Sequence, residues 1–218
     1  MAGFGGGIIL LPIISSLVGI KYAVPILTIA QIFGNFSRVY FGFKEIEWKP
    51  VGYYALGSIP ASIFGSLFFI DVDAQLLSRV VGSILISIVI IRRFGFEPSN
   101  LSYRWLVLGG GISGFLSSIT GIGGPVAAML LLNYGLVGTC FVATEATTAL
   151  VNHVIKIVIY SKYSLITLNG IAHGSFLGIA MVAGSWTGKK IIERISKKTF
   201  VLSVEILLLL TGIWFLIH

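Results

Sequence analysis

The sequence predicts an all-α, polytopic transmembrane protein made of two inverted repeats, each a glycine-broken re-entrant hairpin plus three membrane-spanning helices. Three observations carry that prediction. Hydrophobic residues are 56% and charged residues 11% of the 218, with a mean hydropathy of +0.99, far from the roughly 25% charged of soluble domains. Six apolar runs have about the length of a bilayer crossing. The pentapeptide Gly3-Phe4-Gly5-Gly6-Gly7 returns 118 positions later as Gly121-Ile122-Gly123-Gly124-Pro125.

The apolar runs lie near Lys21 to Phe43, Val51 to Ile70, Leu76 to Ile91, Thr139 to Tyr160, Leu165 to Trp186 and Phe200 to Ile217. A membrane barrel would instead show repeated segments alternating polar and apolar residues, and the run from Val80 to Ile91 does not alternate in that way. Two further pieces, Ile8 to Ile20 and Val126 to Leu136, are too short to cross a hydrocarbon core about 30 Å thick. The piece before the second break, Trp105 to Ile119, is also short. Half-helix, glycine break, half-helix is the pattern of a re-entrant hairpin or a broken helix.

Charge favours the hairpin, because lysine and arginine concentrate on the cytoplasmic face. If the unit returns, one face collects Lys44, Lys49, Arg92, Arg93, Arg104, Lys189, Lys190, Arg194, Lys197 and Lys198. The other then has only Lys21, Arg79 and Lys162, beside Asp71 and Asp73. A single crossing would erase most of that bias. With three crossings after each hairpin, the second copy lies upside down relative to the first.

The repeats are placed at 1–94 and 101–218, together forming one integral membrane domain. Further matches support them: Gly57-Ser58 with Gly174-Ser175, Gly65-Ser66 with Gly184-Ser185, and Arg38 with Lys156. Nothing ahead of Gly3 corresponds to Trp105 to Ile119, so comparison with the second repeat predicts about twenty more residues at an intact amino end.

Cys140 is the one cysteine, which excludes an intrachain disulfide and a thiolate metal cluster. Three histidines, His153, His173 and His218, are too scattered to suggest a metal site, and no cofactor motif is evident. The formal charge of +7 is accounted for by topology signals and anionic lipid headgroups, not nucleic acid.

The glycine runs, with Pro12 after the first, resemble the paired motifs of the sulfite exporter (TauE/SafE-type) family, also called toluene sulfonate uptake permeases. The likeness covers nearly the whole chain. It implies a multi-pass cell-membrane transporter for small sulfur-containing anions such as sulfite or organosulfonates. One departure is Pro125 in place of the third glycine, which a first helical turn accommodates because its N–H would be unpaired there.

Physical reasoning about the breaks runs parallel to the resemblance. A helix starting after a glycine break directs free N–H groups and its positive dipole end into the membrane, which suits an oxyanion. Taken singly, each glycine is explained by close helix packing; two runs at the same place in each repeat favour a functional break. The break candidates are Gly3, Phe4, Gly5, Gly6 and Gly7, with Thr120, Gly121, Gly123, Gly124 and Pro125. The following helices add Gln31, Asn35 and Arg38 on one face, and Thr148, Asn152 and Lys156 on another. Ionisable groups inside a membrane are functional candidates by default, although Arg38 and Lys156 could also snorkel to headgroups. Glu145 and His153 are candidates for proton coupling, with a structural pairing of Glu145 with Lys156 or its neighbourhood as the plainer explanation.

The resulting expectation is a secondary transporter working by alternating access. Its partners would be a small anion, a coupling proton or cation, and membrane lipids, with a homodimer open. The alternatives are an anion channel on the same frame and, behind it, a membrane enzyme acting on a lipid phosphate.

Overall fold

The computed structural model describes residues 5–93, 102–192 and 197–217. Among them every regular element is helical. In chain order these are α1 (Gly5–Val18), α2 (Ile20–Gly42), a 3-10 turn (Phe43–Glu45), α3 (Trp48–Asp71), α4 (Ala74–Arg93), α5 (Tyr103–Thr120), α6 (Gly124–Asn133), α7 (Gly138–Lys162), α8 (Leu168–Ile192) and α9 (Lys197–Ile217). Three described helices are both long and apolar enough to cross a membrane: α3, α4 over Ala74–Ile91, and α7. Of the other expected crossings, α2 has 23 residues, so length is not what it lacks, whereas α8 is a shorter apolar helix over Leu168–Ala183. In α2 the apolar pattern is diluted by Lys21, Gln31, Asn35 and Arg38, three of which are candidate site residues.

The second glycine run is a true break. α5 ends on Gly121, which takes the left-handed conformation with φ 70°, a region that favours glycine. α6 then restarts with Gly123 as its N-cap and Pro125 in its first turn. The chain doubles back here: Tyr134, just past α6, meets Tyr103 at the start of α5 with ring centroids 5.8 Å apart. A hydrogen bond to Tyr103, together with burial, pushes the Tyr134 phenol up to about 12, so it is uncharged at neutral pH. The hairpin arms are unequal. α5, at 18 residues, is about 27 Å long and α6, at 10, about 15 Å. The leading arm is longer than the apolar run Trp105 to Ile119 suggests, because the helix continues through polar residues at both ends.

The first run behaves differently. Gly5, Gly6 and Gly7 form the opening turn of α1, while Gly3 and Phe4 lie outside the described residues. The bend that is visible lies at Gly19 (φ 78°), between α1 and α2.

Packing around α7 and α3 positions the site. α2 packs on α7 and α8, α3 on α5 and α7, and α4 on α9. The α3–α5 contact is backbone to backbone: a Cβ on Gly57 would collide with the Val107 carbonyl, one on Gly110 with that of Tyr54, and one on Gly114 would sit 2.7 Å from the Ser58 carbonyl. Such approach is the use of small residues where lipid gives helices no hydrophobic drive to associate. Gly174, the sequence counterpart of Gly57, packs instead against Ile26 and Ile29 of α2. The two glycine-serine pairs therefore serve different interfaces; Gly184-Ser185 lies where side chains are not described. The main apolar core runs from α1 and α2 through Phe69, Leu77, Leu85, Tyr160 and Phe215. Asp73 caps α4, accepting from the amides of Gln75 at 2.8 Å and Leu76 at 3.1 Å, and Arg93 reaches Glu205 of α9 at 3.4 Å.

Candidate functional site

Buried polar groups gather around the second break and along the facing sides of α2, α3, α5 and α7. They fall into two groups.

The first surrounds the break. Gln31 of α2 donates to the Gly121 carbonyl at 3.0 Å, and a Cβ on Gly7 would lie 3.2 Å from the Gln31 amide nitrogen. One side chain thus touches both glycine runs. Lys156 of α7 is fully buried, and its ammonium donates to the carbonyl and the hydroxyl of Ser117, each at 3.1 Å. Among the described residues no carboxylate lies in salt-bridge range of it. Asn152 accepts from Ser62 of α3 at 3.2 Å, and Ser113 links Tyr54 at 2.7 Å to the Gly123 carbonyl at 2.8 Å. Thr120 accepts from the Ile122 amide at 2.8 Å, stiffening the loop. No side chain caps the amino end of α6, so its first turn keeps unpaired amide donors and positive dipole character near Ser117 and Lys156.

The second group lies nearer the start of α7. Arg38 of α2 pairs with Glu145 at 2.9 Å, with Glu145 almost fully buried and Arg38 one-fifth exposed. Arg38 also donates to Asn35 and, at 3.3 Å, to the Gly34 carbonyl. Thr148 bonds the Glu145 carbonyl of its own helix at 2.8 Å. The partner of Glu145 is therefore Arg38, not Lys156: α2 and α7 cross where Glu145 comes level with Arg38. His153, 3% exposed, keeps a buried Nδ1 without a hydrogen-bond partner.

Gln31, Gly7, Gly121, Gly123, Asn152 and Lys156 are thus brought to one region, and Asn35, Arg38, Glu145 and Thr148 to a neighbouring one. Gly124 and Pro125 open α6 beside the first group. Glycine 123 also has a packing role, since a Cβ there would come within 2.6 Å of the Ser117 Cβ and 2.8 Å of the Ser113 carbonyl. The serines were missed in the sequence, although Ser58, Ser62 and Ser66 recur at spacing four in α3, and Ser113 and Ser117 in α5. That spacing is one polar helical stripe in a membrane segment, a visible signal. Among the described residues no group of His, Cys, Asp or Glu could hold a metal ion.

The family model "Sulfite exporter TauE/SafE" matches residues 1–215. The chain belongs to the TauE/SafE family. Searches of curated proteins and of solved structures found no match. For this TauE/SafE member, membership gives a membrane transporter with a helical, apolar frame.

Proposed function

We propose that this TauE/SafE protein is a secondary transporter that moves a small sulfur-containing anion, such as sulfite or an organosulfonate, across the cell membrane by alternating access. The observation that carries the reading is Lys156: a fully buried ammonium with neutral partners only. A lone buried cation is strongly unfavourable unless something of opposite charge joins it. An anion between Lys156 and the uncapped start of α6 meets that need, with Asn152 and the Ser113–Ser117 hydroxyls as neutral hydrogen-bonding groups. On the side of α2, Gln31 ties the first run to this place.

Alternating access draws support from the pattern of helix contacts. Exchanging α2 with α7, α3 with α8 and α4 with α9 turns the α2–α8 contact into α7–α3 and returns α2–α7 and α4–α9 to themselves. A two-fold axis between inverted repeats requires that. In this scheme the remaining helices cross the membrane and the α5–α6 hairpin is re-entrant, with its ends on the basic face. Arg38 and Glu145 then hold α2 to α7 on one side of the site.

The test is flux into proteoliposomes, comparing sulfite, thiosulfate, sulfoacetate and taurine with chloride and phosphate. Saturable uptake of a sulfur anion in preference to chloride and phosphate is expected; selective uptake of a cation overturns the reading, and unsaturable conductance replaces the carrier with a channel.

A further inference from the structure

One ionisable side chain within the site has no hydrogen bond that accounts for its position. His153 is buried, and its Nδ1 has no partner, whereas buried polar atoms are nearly always paired. The charges acting on it are Lys156, one turn on along α7, and Arg38 from α2. Glu145, two turns earlier on α7, is already bonded to Arg38. From α3 comes the Tyr54 phenol, bonded to Ser113 and neighbouring Asn152. α5 contributes serines at this depth, its own Tyr103 and Arg104 being at its far end, and α6 has no titratable side chain. Tyr160, one turn beyond Lys156, is bonded to the Ser118 carbonyl.

Those neighbours fix a charge balance. Arg38 and Glu145 cancel, which leaves the single charge of Lys156. A monoanion beside Lys156 makes the buried set neutral. A dianion leaves one negative charge in excess, in a medium where an uncompensated charge is strongly unfavourable. His153 is the group that can supply the missing positive charge, because its buried Nδ1 has no partner and can take up a proton when a second negative charge lies beside it.

We propose that His153 is a proton site that loads together with a dianionic substrate, so that a divalent sulfur oxyanion travels with a proton and a monosulfonate travels without one. This rests on the anion reading of Lys156 given above. The proton comes from water on the side where substrate enters and binds the free Nδ1. It stays there while the dianion lies against Lys156, and returns to water on the side where substrate leaves.

The experiment uses the full chain in proteoliposomes with a trapped pH indicator and labelled thiosulfate or methanesulfonate, anions of charge two and one throughout the neutral range. Thiosulfate entry is expected to acidify the lumen and to be driven uphill by an inward proton gradient, while methanesulfonate entry does neither. His153→Gln is expected to lower the ratio of thiosulfate to methanesulfonate flux at least about tenfold, as loss of a compensating buried charge predicts, and to remove the proton entry that accompanies thiosulfate. Thiosulfate entry without protons, or equal proton entry with both anions, overturns the proposal while leaving the anion site standing. If neither anion nor any other sulfur anion moves, it is the reading of Lys156 that falls. Should the variant lose both fluxes through misfolding, the wild-type proton signals with the two anions still decide.

Discussion

The side-chain amide of Gln31 donates to the Gly121 carbonyl at 3.0 Å. On its other flank lies Gly7, where a Cβ would come within 3.2 Å of that same nitrogen. Residues 24 apart in one half of the chain are therefore coupled to a break that begins 90 positions further on. Gln31→Leu should lower flux sharply while reducing stability by only about 1 kcal/mol, the net value of one hydrogen bond. Thermal melts in detergent set beside flux measure both; a fall in stability with unchanged flux makes Gln31 a packing residue.

Lys156 offers a cleaner separation of stability from transport. Replacing a buried unpaired cation by an apolar side chain of similar length removes a desolvation penalty, so Lys156→Met should leave the protein as stable as before or up to about 2 kcal/mol more stable. Anion flux should disappear. A destabilised variant that still transports would show that Lys156 is structural.

The Arg38–Glu145 pair predicts non-additivity. Arg38→Met leaves a carboxylate buried without its partner and should cost about 3 kcal/mol, less any screening by water at the one-fifth-exposed guanidinium. Adding Glu145→Leu should restore much of that loss, because the stranded charge is gone. A double-mutant cycle by chemical or thermal unfolding gives the coupling energy; additive effects argue against a functional pair.

Glycines of the α3–α5 contact should be intolerant, and others not. Gly57→Ala places a methyl group on the Val107 carbonyl, an overpacking clash of on the order of 2–3 kcal/mol or worse. Gly52→Ala and Gly34→Ala meet open space and should change the melting temperature little or raise it. Expression yield and melting in detergent compare the three.

Much of this arrangement was legible in the residues. Composition indicates a membrane protein and the long non-alternating apolar runs make it helical, while the second glycine run announces a break that Gly121 realises with a left-handed backbone. Periodicity also put Gln31, Asn35 and Arg38 on one face of α2. What periodicity along one helix does not contain is the level at which another helix crosses it. Glu145 was set beside Lys156 because both lie on α7, yet the crossing of α2 brings Arg38 to it instead. The length of α5 was underestimated for a plainer reason: the helix takes in Tyr103 and Arg104 before the apolar run and Thr120 after it. The glycines of α3 carried no sign of which neighbour they would admit, since a missing side chain fits any close partner. Gly123 shows the limit of a single role, as it both opens α6 and makes room for Ser113.

The backbone contact between α3 and α5 has a mechanical consequence. With carbonyls resting directly in the glycine notches, neither helix can slide or roll against the other without collision, so the second break is bolted to α3. The first run is held more softly, by one amide from Gln31 and by the flexible thioether of Met181, which lies over Gly6. The two runs are therefore held by different means: the second by backbone seated in glycine notches, the first by side chains alone, those of Gln31 and Met181 beside its glycines and the apolar core that α1 and α2 share.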